Sequence, residues 1–365
     1  MNQPESELVL RPVEQRDARA LTVLARENLH SEWSEEFVQW KYFQNPAGRI
    51  HGCCAELAGE LVGFYGSNPI RIKMGDDVVD GVQAVDAMVA SSARRQGLFS
   101  KLGHRSIAEA AQAGVTLAYA IANPISRAGS VKRLAFGDVG EVPRYVRALN
   151  LRDLVRVAGL TGYRALVYRL ALRAMVSVHG RLTTATDGEI QISQVDTIDG
   201  RFDTLWASAA VELPVAVVRD RAYLTWRYVH NPLAQYAILT AERSHDLRGY
   251  AILSHRDLVK GVIAIAELLV APGDHLAGMA LLARVATYAM EKDAVQVQCW
   301  MLPQHMFYTD LLRKSGFIYS DVRFVPGLFG YTTSLIARTT TVHTLSPDPL
   351  QLRHWYLTMG DQDYY

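Results

Sequence analysis

Residues 40–46 read WKYFQNP and residues 226–232 read WRYVHNP, 186 positions apart. One such stretch is a helix end followed by a turn, because proline cannot continue a helix. Two of them point to a copied structure, and the flanking elements keep nearly the same offset. In the first half LVLRPV (8–13) reads as a strand and ARALTVLAREN (18–28) as a helix, and Ser34 is placed to cap a second helix ending at Asn45-Pro46. CCAELAGELVGFYG (53–66) reads as a hairpin about Ala58-Gly59. VQAVDAMVA (82–90) is strand-like, GLFSKLGHRSIAEAAQAG (97–114) helical, and VTLAYAIANP (115–124) strand-like again. The second half repeats this order in YAILTAE (236–242), LRGYAIL (247–253), VIAIAELLVAP (262–272), HLAGMALLARVATYAMEK (275–292) and VQVQCWMLP (295–303). Pro303 lies 179 residues after Pro124, whereas Gly278, Glu267 and Phe317 each lie 181 after Gly97, Asp86 and Phe136. The expected fold class is α/β (α+β), with mixed-sheet modules in tandem over 1–150 and 188–365.

The segment between them, 151–187, carries six arginines against Asp153 and Asp187, and Leu166, Leu170, Ala174 and Val178 recur every fourth residue. That spacing predicts an amphipathic helix. A basic amphipathic helix suits an anionic membrane surface, but packing of its apolar stripe between the modules is the expected role. A length of 365 residues allows about two domains. With 38 basic and 37 acidic residues nothing global points to nucleic acid. Cys53, Cys54 and Cys299 give no disulfide framework, which fits a reducing compartment. MNQPESELVL lacks a basic-then-apolar leader, and the apolar stretch 261–272 is too short for a bilayer and contains Glu267. The expected location is cytoplasmic. The eleven histidines show no H-x-x-x-H spacing with a nearby carboxylate, so no metal is expected.

VDAMVA followed by SSARRQGLFSKL is a strand, a short polar loop and a helix start near Gly97. Free N–H groups at a helix start, aided by the helix dipole, favour an anion. Gly97 has no Cβ to hold a bulky phosphate away, and Arg94, Arg95 and Lys101 add positive charge. Phe99, Gly103, Ile107 and Ala110 predict one buried face. The G-x-x-x-x-G-K-[ST] spacing of a P-loop is absent.

Arg94-Arg95-Gln96-Gly97-Leu98-Phe99 resembles the (Q/R)-x-x-G-x-(G/A) loop of the GNAT acyltransferase superfamily. The resemblance extends over about residues 8–150 and, more weakly, 189–330. It implies that the loop binds the pyrophosphate of acyl-coenzyme A as co-substrate. It also implies a bulge in the strand at 85–90, which splays from the strand at 116–122 so that the pantetheine arm enters between them. The implied coenzyme contacts are Met88, Val89 and Ala90 on the strand, Arg94, Arg95, Gln96, Gly97, Leu98, Phe99 and Ser100 in the loop, and Asn123 on the next strand. Phe99 departs from the small residue usual at its position and is expected to pack into the helix interface. The second half reads His275-Leu276-Ala277-Gly278-Met279-Ala280, keeping the glycine without the basic residues. Its module is expected to have lost the coenzyme and to shape an acceptor pocket.

Acyl transfer to an amine needs an oriented thioester, a deprotonated amine and a stabilised oxyanion. The Val89 or Ala90 N–H is the expected oxyanion donor. Asp86, a carboxylate in an otherwise apolar strand, is the first candidate to take the proton, and its structural alternative is a paired Asp. Glu267 is its counterpart, expected to hold the acceptor amine or to be a relic. Val131 stands where relatives place a general-acid tyrosine, so that role has no carrier here. Asn123 also suits an Asn-Pro turn, and Arg127, Lys132 and Arg133 are outer-phosphate contacts or solvent charges. Trp355, Tyr356, Asp361 and Asp363 of the tail are candidates to close a pocket; Trp40 and Trp226 read as core anchors, with Asn45 and Asn231 capping turns. The implied reaction is N-acylation of a small primary amine, with a nucleotide-linked amino sugar as one acceptor class. The competing readings are an aminoacyl transferase using charged tRNA, which the near-neutral charge opposes, and a non-catalytic acyl-CoA-binding scaffold.

Overall fold

The hairpin and Asn-Pro signals mark real corners. In the computed structural model, which describes residues 8–150, 189–320, 332–341 and 345–363, Ala58 and Gly59 take left-handed φ values of 54° and 82° between two strands. This suits a two-residue hairpin turn. Asn45 accepts from Ala47 N–H at 2.9 Å and donates to Pro69 O at 2.9 Å, while Asn231 accepts from Leu233 N–H at 3.0 Å. The expected linker helix at 151–187 lies outside the described residues.

The first half contains β1 (Leu8–Pro12), α1 (Ala18–Leu29), α2 (Glu35–Phe43), β2 (Cys53–Leu57), β3 (Glu60–Met74), β4 (Asp77–Val89), α3 (Leu98–Gln112), β5 (Leu117–Ala122), α4 (Pro124–Arg133), β6 (Gly137–Glu141) and β7 (Arg144–Ala148). Ser34 caps α2 as expected, accepting from Phe37 N–H at 3.0 Å. The second half contains β8 (Gln191–Val195), α5 (Gly200–Ala210), β9 (Val215–Val217), α6 (Arg221–Leu224), β10 (Tyr236–Arg243), β11 (Asp246–Ser254), β12 (Val262–Val270), α7 (His275–Glu291), β13 (Gln296–Trp300), α8 (Met306–Lys314), β14 (Ile318–Ser320), β15 (Ser334–Thr339) and β16 (Trp355–Tyr356).

These elements form two mixed sheets in two compact units. The described residues of the first unit fall within Met1–Gly140, His230–Leu233 and Ser334–Leu352. Those of the second fall within Glu141–Val229, Ala234–Thr333 and Arg353–Tyr365. The first sheet runs β1-β2-β3-β4-β5-β15-β6, and the second, written from its own first strand, runs β8-β10-β11-β12-β13-β7-β14. Four antiparallel strands lead to a parallel pair in both, β4 with β5 and β12 with β13. The sixth strand of each sheet comes from the other half of the chain: β15 pairs with β5, and β7 pairs with β13. The divisions at 150 and 188 expected from local pattern therefore differ from the sheet memberships. Local periodicity identifies a strand but carries no information on its distant partner.

In the first unit α3 lays Leu98, Leu102, Gly103, Ile107 and Ala110 on the sheet, and Phe99 lies at the edge of this face, half-buried. Burying each leucine contributes roughly 1.5–3 kcal/mol. A Cβ on Gly103 would lie 2.7 and 2.8 Å from the Leu134 methyls and 3.2 Å from Tyr65, so the helix approaches closely only without a side chain there. In the second unit Asp274 caps α7, accepting from Ala277 N–H at 3.1 Å, and pairs with Arg243 at 3.2 Å and Arg248 at 2.8 Å. Burial alone would raise this carboxyl. The Arg248 and Ala277 hydrogen bonds and the two positive charges outweigh it, leaving the carboxyl below its ordinary value.

Stability measurements check this packing at two positions. Gly103→Val should cost about 1–3 kcal/mol by overpacking, read as a lower midpoint in urea. Asp274→Asn keeps a capping side chain but removes the charge, and should cost on the order of 1–2 kcal/mol at pH 7. Because the folded-state value is lowered, the wild-type advantage is present above the unfolded value near 3.8 and vanishes as pH falls through the folded one. Melting curves of both proteins from pH 7 to 3 should therefore converge.

Candidate active site

The strand before the loop carries the expected irregularity. β3 and β4 pair Phe64 with Met88 but Gly66 with Val85, so β4 holds one extra residue at Asp86–Ala87. Asp86 has φ 50°, a left-handed conformation that aspartate and asparagine tolerate better than most side chains. Its side chain is only 5% exposed and meets two residues of the WKY stretch. Lys41 Nζ lies 2.5 Å from Asp86 Oδ2, and the Tyr42 hydroxyl donates to the same oxygen at 2.7 Å. The Lys41 ammonium also sits over the rings of Trp33, Phe37 and Tyr42, 5.0, 5.7 and 5.7 Å from their centroids. An ammonium this deeply buried persists because carboxylate and ring faces replace its water. Trp40 is in the core as expected, while Trp226 is half-buried.

β4 and β5 then diverge. They pair in parallel only from Gly81 to Gln83 against Leu117 to Tyr119, which leaves the ends of both strands splayed. The loop at the mouth runs through a short turn at Ser91–Ala93, extended Arg94, and left-handed Arg95 (φ 66°) and Gly97 (φ 73°). Such alternation turns successive N–H groups to one side, a concavity suited to an anion. Gly97 begins α3 without a side-chain cap, and a Cβ added to it would meet nothing within 4 Å. The N–H groups of Gly97, Leu98 and Phe99 donate to no acceptor among the described residues, whereas those of Ser100 and Lys101 are committed to Gly97 O at 3.1 Å each. Arg94, Arg95 and Gln96 are exposed.

Other expected contacts are already engaged. Ala90 N–H is fixed in the ladder to Val62 O at 2.9 Å. Val89 N–H reaches the Asn28 carboxamide oxygen at 3.3 Å, which also accepts from Arg94 at 3.3 Å. Met88 is fully buried. Asn123 Oδ1 caps α4, accepting from Ile125 and Ser126 N–H at 3.0 and 2.9 Å, so the turn chemistry accounts for that oxygen. Phe99 packs edge-on to Tyr65 at 5.9 Å between centroids, as expected for a helix-interface residue. Arg127 pairs with Asp138, and Lys132 and Arg133 are exposed. The last turn of α1 supports the loop, since Glu27 accepts from Ser91 N–H at 2.6 Å and that bond holds its carboxyl below the ordinary range. Nothing in their spacing marked Glu27 and Asn28 for this role.

In the second unit the counterpart carboxylate is shut in. Glu267 is wholly buried beside a register shift at Ala266, where Ile252 pairs with Glu267 and Leu253 with Ile265. Its Oε1 accepts from the Tyr228 hydroxyl at 2.7 Å; its Oε2 accepts from Arg219 at 2.8 Å and Thr358 at 2.9 Å. Tyr228 is the tyrosine of WRY, so the repeated stretch presents a phenol to a bulge carboxylate in each unit. Arg227 turns elsewhere, donating to Gln362 O at 2.7 Å. Arg219 also grips Asp361 at 2.6 Å, and burial pushes the Asp361 carboxyl up to about 6 against that attraction. With both oxygens bonded inside the protein, Glu267 is built into the interior rather than presented to an acceptor amine. Among the described residues no group of three or more His, Cys, Asp or Glu side chains is placed to hold a metal.

Comparison with known proteins agrees with this geometry. Residues 10–136 match the family of acetyltransferase (GNAT) domains. No curated protein sequence matches the chain. Among solved structures, a conserved protein of Enterococcus faecalis described as a probable N-acyltransferase superposes with a TM-score of 0.62 at 12% identity, over 92% of this chain and 73% of that one. A GCN5-related N-acetyltransferase of Anabaena variabilis gives 0.63 at 12% identity, over 92% and 74%. One of Kribbella flavida gives 0.58 at 15%, over 93% and 72%. At such identities these likenesses speak for the fold, and the family match covers the part of the chain that holds the bulge, the splayed strands and the loop. Residues 10–136 thus match GNAT acetyltransferase domains, and the chain shares the fold of these solved structures.

Proposed function

We propose that the chain transfers an acyl group from coenzyme A to a primary amine in its first unit, and that the two units descend from one duplicated GNAT module. The observation that carries the reading is the set of unengaged N–H groups at Gly97–Phe99 at the mouth of two diverging strands. In this reading Arg95 to Phe99 cradle the diphosphate, and Arg94 adds charge. The pantetheine arm enters between β4 and β5 and takes the Val89 N–H from Asn28. That N–H then faces the thioester oxygen as it gains charge. Chemistry supplied by the coenzyme is limited to the activated acyl carbon.

Asp86 is the proposed proton acceptor at the bulge. Tyr42 and Lys41 fix the orientation of its carboxylate, and the acceptor ammonium loses its proton toward it before attack. Transfer forms one amide N–C bond and breaks one C–S bond; the attacking nitrogen gives up its second proton, the leaving thiolate takes up one, and coenzyme A departs as the thiol. The proposed acceptor is a small amine, with nucleotide-linked amino sugars the first class to screen.

Two substitutions test this. Asp86→Asn retains a residue that tolerates φ 50° and should lower kcat by about 10²–10⁴-fold, with coenzyme affinity within roughly threefold. Unchanged turnover assigns Asp86 to structure alone. Gly97→Ala strains a left-handed position by about 1 kcal/mol and puts a methyl in the cradle. It should weaken coenzyme A binding by tenfold or more (about 1.4 kcal/mol), measured by calorimetry, and unaltered affinity places the diphosphate elsewhere.

A further inference from the structure

The second unit has its own opened strand pair, and its gap holds protein. β12 and β13 pair only from Val262 to Ala264 against Gln296 to Gln298, then separate. Residues 355–361 run into this opening. The Tyr356 hydroxyl donates to Leu268 O on the β12 side. On the β13 side, Trp355 O lies 2.8 Å from His305 Nε2 and accepts from Gln304 at 3.4 Å. Trp355 and Tyr356 pair in parallel with Val215 and Ala216 of β9, which fixes the backbone of the segment. Farther in, Thr358 donates to Glu267 and Asp361 is held by Arg219. Gly360 lies so close that a Cβ would overlap the Tyr228 hydroxyl and lie 2.6 Å from Glu267 Oε1. Trp355 to Leu357 and Met359 are fully buried.

The start of α7, which follows the splayed strand as α3 does, is likewise satisfied from within. The Asp274 carboxylate accepts from Ala277 N–H there and is neutralised by Arg243 and Arg248. A negative group thus already stands at the helix end that attracts one.

We infer that residues 355–361 are an internal ligand of the second unit, lying where a pantetheine arm would run, with Asp274 standing in for the diphosphate, so that each chain takes up a single coenzyme thioester. The inference rests on reading the first unit's gap as the thioester site. The extended, aromatic and acid-ended segment engages the cleft through the Tyr356 and Thr358 hydroxyls and a buried arginine, polar contacts of the kind by which clefts recognise a ligand.

Calorimetric titration of the full chain with coenzyme A, combined with hydrogen exchange, tests it. Expected are one site per chain and new protection at 97–101. Amides of 355–361 should exchange as slowly as those of β12, with or without coenzyme. Two sites per chain, fast exchange at 355–361, or loss of their protection on adding coenzyme overturns the inference. Absence of any coenzyme binding with 355–361 still protected removes the coenzyme reading of the first unit, yet supports the occupied second cleft. Gly360→Ala provides a check in the folded full-length protein: protection at 355–361 should fall about tenfold or more, with coenzyme affinity of the first unit within roughly threefold. Unchanged protection in that variant contradicts the tight seating described.

Discussion

An ammonium and a carboxylate, both nearly shut off from water, meet 2.5 Å apart at the kink of β4. The strand cannot run straight through Asp86, because a left-handed residue breaks the pleat. That break turns β4 away from β5 and delivers the loop to the mouth of the gap. Taking the two charges out of water costs several kcal/mol per ion before their attraction is counted. The three rings around Lys41 and the phenol on Asp86 offset that cost and set the geometry. Helix α2 is therefore tied to the bulge by charge as well as by packing.

The same logic appears in the second unit with different partners. There a tyrosine of the repeated stretch again meets the carboxylate, but the cation comes from Arg219 and the remaining hydrogen bonds from the tail. Arginine's several donors let it serve Glu267, Asp361 and Val217 O at once, which one lysine would do with less directional control. The bulge carboxylate thus meets Lys41 and Tyr42 through one oxygen in the first unit and lies at the centre of a closed network in the second.

Much of this was readable in the residues. Strand, polar loop and glycine-led helix at 85–112 are local signals, and local geometry obeyed them. The recurring Trp-Tyr-Asn-Pro stretch was legible as a helix end and a corner. Its tyrosines were not legible as carboxylate donors, because Tyr42 and Asp86 are 44 residues apart and only the fold aligns them. Asn28 illustrates the same limit: an asparagine in the last turn of a helix has no periodicity to give away its contact with Val89. Asn123 went the other way, its proline neighbour and its cap being more informative than the family position. Strand partners across the whole chain, β15 with β5 and β7 with β13, left no trace in any window of sequence.

That reciprocal exchange bears on how the molecule is made. As the chain leaves the ribosome, the first sheet lacks its sixth strand until residues 334–339 have emerged, and β5 presents an unpaired edge throughout. β7 meanwhile waits for a partner, β13, that is synthesised some 150 residues later. Neither sheet is finished before most of these 365 residues are available. Vectorial, module-by-module maturation is therefore closed to this protein, and a nascent chain stalled midway exposes two adhesive borders.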